Sequence, residues 1–114
     1  MQQIKKILVI RLSSIGDIIL TTPLLRSLTT ACPEAQIDYC TKAHFVSLLA
    51  ENPRLSAIYT LEHPPSGSYD LVVDLQNNIR SHAIVRNVKA ELFQISSALR
   101  HLNSQVVDAP LIAS

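Results

Sequence analysis

The run Ile7-Leu-Val-Ile-Arg-Leu12 gives way abruptly to Ser13-Ser14-Ile15-Gly16, and Asp17 then opens a stretch with helical spacing. A nearly continuous apolar, β-branched run of this length marks a strand covered on both faces, the usual state of a central strand in a parallel sheet. Ile18, Leu20, Leu24, Leu25 and Leu28 supply the apolar face of a helix over residues 17–31, and Pro33 follows its end. Pro23 interrupts it: either the helix kinks there, or Thr22 caps a fresh start with Pro23 at the first helical position. A strand, turn and helix joined in this way put the turn at the carboxyl end of the strand, where open α/β sheets bind ligands. The segment thus constrains both the fold and the place where chemistry would occur.

The rest of the chain repeats the alternation. Residues 36–40 read as a second strand, 43–50 as a short helix, 57–61 as a third strand, 63–68 as a loop and 71–75 as a fourth strand that exits at Asn77-Asn78. The order β-α-β-α-β-loop-β-α predicts an α/β fold, a Rossmann-like parallel sheet with helices on both faces and strands in the order 3-2-1-4. In the tail, Val85, Val88, Leu92, Ile95, Leu99 and Leu102 are spaced 3-4-3-4-3, which predicts one amphipathic helix over residues 81–102. The alternative is a fifth strand over residues 90–95. Val106-Val107 is too short to assign.

Composition narrows the function classes. The 114 residues allow one domain, and 47% hydrophobic with 17% charged residues describes a globular chain. A net charge of +1 gives no case for nucleic acid as a partner. Cys32 and Cys40 form no CxxC pair and read as buried thiols in a reducing compartment. Arg11 stops the N-terminal apolar run too early for a signal peptide, and no stretch approaches the ~20 apolar residues of a membrane span. With only Gly16 and Gly67 in the chain, neither a GxGxxG fingerprint nor a P-loop can be written. The four histidines are scattered and no metal site is expected; no GxSxG elbow is present.

Two segments remain as candidates. In the first, Gly16 permits close approach, the amides at the helix start can hold an anion or a sugar oxygen, and Asp17 offers a carboxylate to a substrate hydroxyl. The same residues also fit an ordinary capping box, Ser14-x-x-Asp17, and stabilisation by the helix start would lower the carboxylate pKa and weaken it as a base. The second is Asp74-Leu-Gln-Asn-Asn-Ile-Arg80, on the same sheet edge. Gln76, Asn77 and Asn78 offer amides, and Arg80 offers a planar fork for carboxylate or phosphate. A plain polar loop with Asn as helix cap is the alternative.

Together these segments resemble glycosyltransferase family 9, the ADP-heptose:lipopolysaccharide heptosyltransferases. The match runs from Ile7 through Arg26 and again from Tyr69 through Ser81, with Pro33-Glu-Ala-Gln-Ile-Asp38 and Asn52-Pro53 between; it is strongest over residues 4–82. The resemblance implies a cytoplasmic bacterial enzyme of GT-B type, with a Rossmann-like unit on each side of a cleft and peripheral contact at the inner face of the inner membrane. It implies Asp17 as the catalytic base of an inverting, metal-free transfer of heptose to the lipopolysaccharide inner core. Ser13, Ser14, Gly16, Gln76, Asn77 and Arg80 would be the substrate-binding residues. There is no cofactor: the nucleotide sugar is a substrate, bound mainly by a C-terminal domain. The expectation is therefore a single truncated Rossmann-like domain, residues 1–114, acting as the acceptor-side part and inactive alone. A non-catalytic binding or interaction module is the alternative. The resemblance fades after about Asn87, so residues 88–114 are divergent or unrelated. In the order 3-2-1-4 the fourth strand is an edge that invites self-association unless the tail covers it.

Overall fold

A computed structural model describes the backbone of residues 4–95 and the side chains of residues 4–92. Five strands form one parallel sheet: β1 (Lys6–Ile10), β2 (Gln36–Cys40), β3 (Leu55–Tyr59), β4 (Gly67–Asp74) and β5 (Val88–Ile95), in the order β3-β2-β1-β4-β5. The helices are α1 (Ile15–Ile19), α2 (Thr22–Ala31), α3 (Val46–Leu49), entered through a single 3-10 turn (Ala43–Phe45), and α4 (Ile79–Arg86).

β1 lies at the centre because its residues leave it no alternative. Ile7, Leu8, Val9 and Ile10 are all fully buried, so both faces of the strand must be covered. On one face Ile7, Val9, Ile37, Tyr39, Leu71 and Val73 pack against Ile18 of α1, Leu24, Leu25 and Leu28 of α2, and Leu49 of α3. On the other, Leu8, Ile10, Cys40, Tyr69 and Val72 pack against Ile84 of α4. Each such aliphatic side chain contributes about 1.5–3 kcal/mol relative to an exposed one. The Rossmann-like, doubly wound arrangement expected from the sequence is the one observed.

The break at Pro23 is a fresh start. Leu20 N donates back to Gly16 O, Thr21 N to Ile18 O, and Thr21 O then accepts from Leu25 N to begin α2. Pro23 sits in the first turn of α2, where its missing N–H costs nothing. Thr21 rather than Thr22 is the cap. At the junction the buried Thr21 hydroxyl meets the Tyr39 hydroxyl at 3.0 Å, which fixes the joint to the sheet.

The tail departs from the expected long helix. α4 ends at Arg86, and residues 88–95 form a strand paired along β4 from Gly67↔Val88 to Asp74↔Ile95. Val88, Ala90 and Leu92 alternate with Lys89 and Glu91, so this segment carries a period of two as well as the helical spacing. The open edge of β4 decides between them, because a parallel ladder there satisfies backbone groups that a helix would leave unpaired. β4 is therefore not an edge: β5 covers it, and the edges among the described residues are β3 and β5. Residues 96–102 of the expected helix, and Val106-Val107, lie outside the described residues. β4 also begins earlier than expected, taking Gly67 and Ser68 from the proposed loop, with Gly67 at a positive φ of 87°.

Candidate active site

β2 and β4 flank β1, and the chain runs to opposite sides of the sheet from β1, so the crevice at the carboxyl ends of these strands is the topological switch point. A pocket of about 300 Å³ opens there. Leu12 and Ser13 wall it after β1, Lys42 after β2, and Gln76, Asn78, Ile79 and Arg80 after β4.

The β4 exit is shaped by Asp74. It is fully buried, and its Oδ1 accepts from Gln76 N at 3.1 Å and Asn77 N at 2.8 Å, which turns the chain sharply after the strand. Asn77 takes a left-handed φ of 49° in this turn, a conformation Asn tolerates better than most residues. Asn78 then caps α4: its Oδ1 accepts from Ser81 N, and the buried Ser81 hydroxyl accepts from Asn78 N. The turn directs Gln76 back across the sheet edge, where its Oε1 accepts from Leu12 N at 3.0 Å and Ser13 N at 3.3 Å.

Asp17 is held on the neighbouring turn. Its Oδ2 accepts from Arg11 Nη2 at 2.7 Å, from the Ser14 hydroxyl at 2.9 Å and from Ser14 N at 3.3 Å. The Ser13–Ser14 peptide is cis. Hydrogen bonding to the Arg11 guanidinium, followed by the bonds from Ser14, pulls the Asp17 carboxyl below its ordinary value and keeps it ionised. All three bonds fall on Oδ2; among the described residues none is made to Oδ1. Arg11 is only 20% exposed against 46% for the Asp17 side chain, and its Nη1 donates to Leu75 O. The guanidinium thus joins the two turns.

Of the residues expected at the site, the structure places Ser13, Gln76 and Arg80 in the pocket wall. Ser14 and Asp17 are bonded to each other on the adjoining turn. Gly16 is exposed in α1, and a Cβ added there would meet open space. Asn77 does not line the pocket; its Oδ1 pairs with His82 Nε2 at 2.8 Å. Asn78, singled out in the second segment for its amide, also lines the pocket, whereas Lys42, Arg11 and the wall residues Leu12 and Ile79 were missed as site-formers. The signal for Lys42 was its place: it follows the end of β2 by two residues, on the same sheet edge as the other two loops. Among the described residues, no three His, Cys, Asp or Glu side chains converge as metal ligands.

These features define a Rossmann-like α/β unit whose switch-point pocket combines Lys42, Arg80 and amide groups beside a turn that carries an ionised carboxylate. Comparison with known proteins points the same way. The chain matches no protein-family model. It is 30% identical over 66 residues to lipopolysaccharide heptosyltransferase 3 of Escherichia coli K12, covering 58% of this chain and 19% of that protein. It is 28% identical over 107 residues to lipopolysaccharide heptosyltransferase 3 from another Escherichia coli source, covering 78% of this chain and 31% of that protein. The chain therefore spans less than a third of the length of these curated relatives. Its fold is similar to the crystal structure of the glycosyl transferase family 9 protein from Veillonella parvula, with a TM-score of 0.71 and 22% identity over 89% of this chain and 35% of that one. In sequence and in fold the chain resembles a glycosyltransferase.

Proposed function

We propose that this chain forms the acceptor-side half of a heptosyltransferase-like glycosyltransferase that moves heptose from ADP-heptose to the lipopolysaccharide inner core. The observation that carries this reading is the pairing of the Asp17 turn with the Lys42 and Arg80 pocket at one switch point. Lys42 and Arg80 present cationic donors suited to carboxylate or phosphate groups on an acidic sugar, and Ser13 and Asn78 present donors and acceptors for its hydroxyls. A sugar seated there would offer a hydroxyl to the unoccupied Oδ1 of Asp17. As the acceptor's hydroxyl oxygen attacks the anomeric carbon, the bond from that carbon to ADP breaks and the hydroxyl proton passes to Asp17. A carboxylate stabilised by Arg11 and Ser14 is a weak base. The transfer therefore has to accompany bond formation, when the hydroxyl is most acidic.

The nucleotide sugar is a substrate in this scheme, held mainly by residues outside this chain. The chain alone would bind acceptor and turn nothing over. Such an enzyme would work in the cytoplasm at the inner face of the inner membrane; among the described residues no helix is long and apolar enough to cross a membrane. The second reading, a non-catalytic binding module, is favoured by the engagement of Asp17 with the cap residue Ser14 in a capping box and with Arg11 in an ion pair.

Transfer activity separates the two readings. Joined to the donor-binding half of a heptosyltransferase, the chain should transfer heptose, and Asp17→Asn should slow transfer by about 10²–10⁴-fold. An Asp17→Asn variant that transfers at the unsubstituted rate would remove Asp17 as the base. Turnover by the chain alone would overturn the placement of donor binding outside it.

A further inference from the structure

The carboxylate sits on the β1–α1 turn, whereas most of the pocket sits on the β4–α4 loop, and a reaction between them needs their relation fixed to within a fraction of an ångström. Arg11 spans the gap. One guanidinium nitrogen, Nη2, bonds Asp17 Oδ2 at 2.7 Å, and the other, Nη1, bonds the carbonyl of Leu75, the residue that leaves β4. Gln76, the next residue, bonds back to Leu12 N and Ser13 N. The two turns are therefore cross-braced in opposite directions, one brace rising from Arg11 and one from Gln76.

We infer that Arg11 is a positioning residue, which ties the Asp17 carboxylate through Oδ2 to the β4–α4 loop and leaves Oδ1, which accepts no bond among the described residues, for the acceptor. A guanidinium can do this because its planar fork serves two acceptors at once, which an ammonium cannot do with the same geometry. Its third donor, Nε, is buried and has no partner among the described residues, so the side chain gives up one hydrogen bond to hold this pose. Arg11 is also the charged group that faces Asp17, the remaining contacts being the amide and hydroxyl of Ser14. The inference rests on the reading of Asp17 as proton acceptor and deepens it.

The test is a pH titration of the isotope-labelled chain followed by NMR, which needs no sugar transfer. Loss of the base assignment in the transfer assay would thus be distinguishable from failure here. In the unsubstituted chain, protonating Asp17 should move the amide resonances of Leu75, Gln76 and Asn77 at the same midpoint as those of Ser14; Gln76 and Asn77 also bond Asp74 Oδ1, so the shared midpoint is what marks Asp17. Arg11→Gln should raise the Asp17 midpoint toward the ordinary value of 3.8 and abolish the response at Leu75–Asn77. Arg11→Lys should keep part of the lowered midpoint and lose the response. If the Leu75–Asn77 amides ignore Asp17 in the unsubstituted chain, Arg11 does not couple the loops, and no variant need fold for that result to count. An unchanged Asp17 midpoint in a folded Arg11→Gln variant would equally overturn the inference.

Discussion

The side-chain oxygen of Gln76 accepts a hydrogen bond from the backbone amide of Leu12 at 3.0 Å, and so joins the exit of β4 to the exit of β1. Leu12 is buried, and its amide has passed the end of the β1 ladder. Gln76→Ala leaves that donor unsatisfied and should cost about 1–3 kcal/mol. Urea denaturation should show a lower midpoint at unchanged slope. Gln76→Glu, which keeps an acceptor at the same reach, should recover much of the loss.

Gly16 separates a structural role from a ligand role. It lies in the first turn of α1 without a positive φ, and a Cβ there meets open space. Gly16→Ala should therefore stabilise the chain by about 0.4–1 kcal/mol through the unfolded state. The same methyl should weaken acceptor binding if the sugar approaches this turn. A stability gain with unchanged acceptor affinity would take Gly16 out of the site.

The pairing of β5 with β4 can be read from two leucines. Leu71 is buried inside the sheet, whereas its β5 partner Leu92 is 45% exposed. Leu71→Ala should cost about 2–5 kcal/mol, and Leu92→Lys should change stability by no more than about 0.5 kcal/mol. Equal losses in denaturation would mean that the edge is covered.

Burial pushes the Cys40 thiol up to about 12 and also raises Cys32. In the native chain at pH 8, iodoacetamide should leave Cys40 unmodified and alkylate the half-buried Cys32 slowly; both should react after unfolding. The raised folded value of Cys40 also means that its contribution to stability is fully present below the unfolded value of 9.0 and is lost as the pH rises toward 12. Rapid alkylation of Cys40 in the folded chain would contradict its place in the core.

The centre of the fold was legible because β1 and β4 contain short apolar runs that only a two-faced core can use. An interruption at Pro23 was legible as well, since an interior proline removes a helix hydrogen bond, but the choice between a kink and a fresh start capped by Thr21 was not. The tail was not, because residues 88–95 satisfy both periods, and only the open edge of β4 selects the strand. At the site, Asp17, Ser13, Gln76 and Arg80 stood out by residue type at strand exits. Lys42 did not, because one lysine after a strand looks like any surface lysine until β2 is seen beside β1. Arg11 read as an interruption of an apolar strand. Its role as a bridge between two loops depends on a contact with Leu75, 64 residues away in sequence. Asn77 stands apart from the pocket wall for a related reason: its side-chain oxygen pairs with His82, on α4.

The pocket between the β1, β2 and β4 exits is proposed to receive an acidic core sugar beside Asp17. Titrating the labelled chain with lipopolysaccharide inner-core oligosaccharide, and separately with ADP-heptose, tests this proposal. Saturable shifts are expected at Ser13, Ser14, Lys42, Gln76 and Arg80 with the oligosaccharide, weakened by Lys42→Ala and Arg80→Ala, with little response to ADP-heptose. Shifts confined to other surfaces, or a response to ADP-heptose alone, would contradict it.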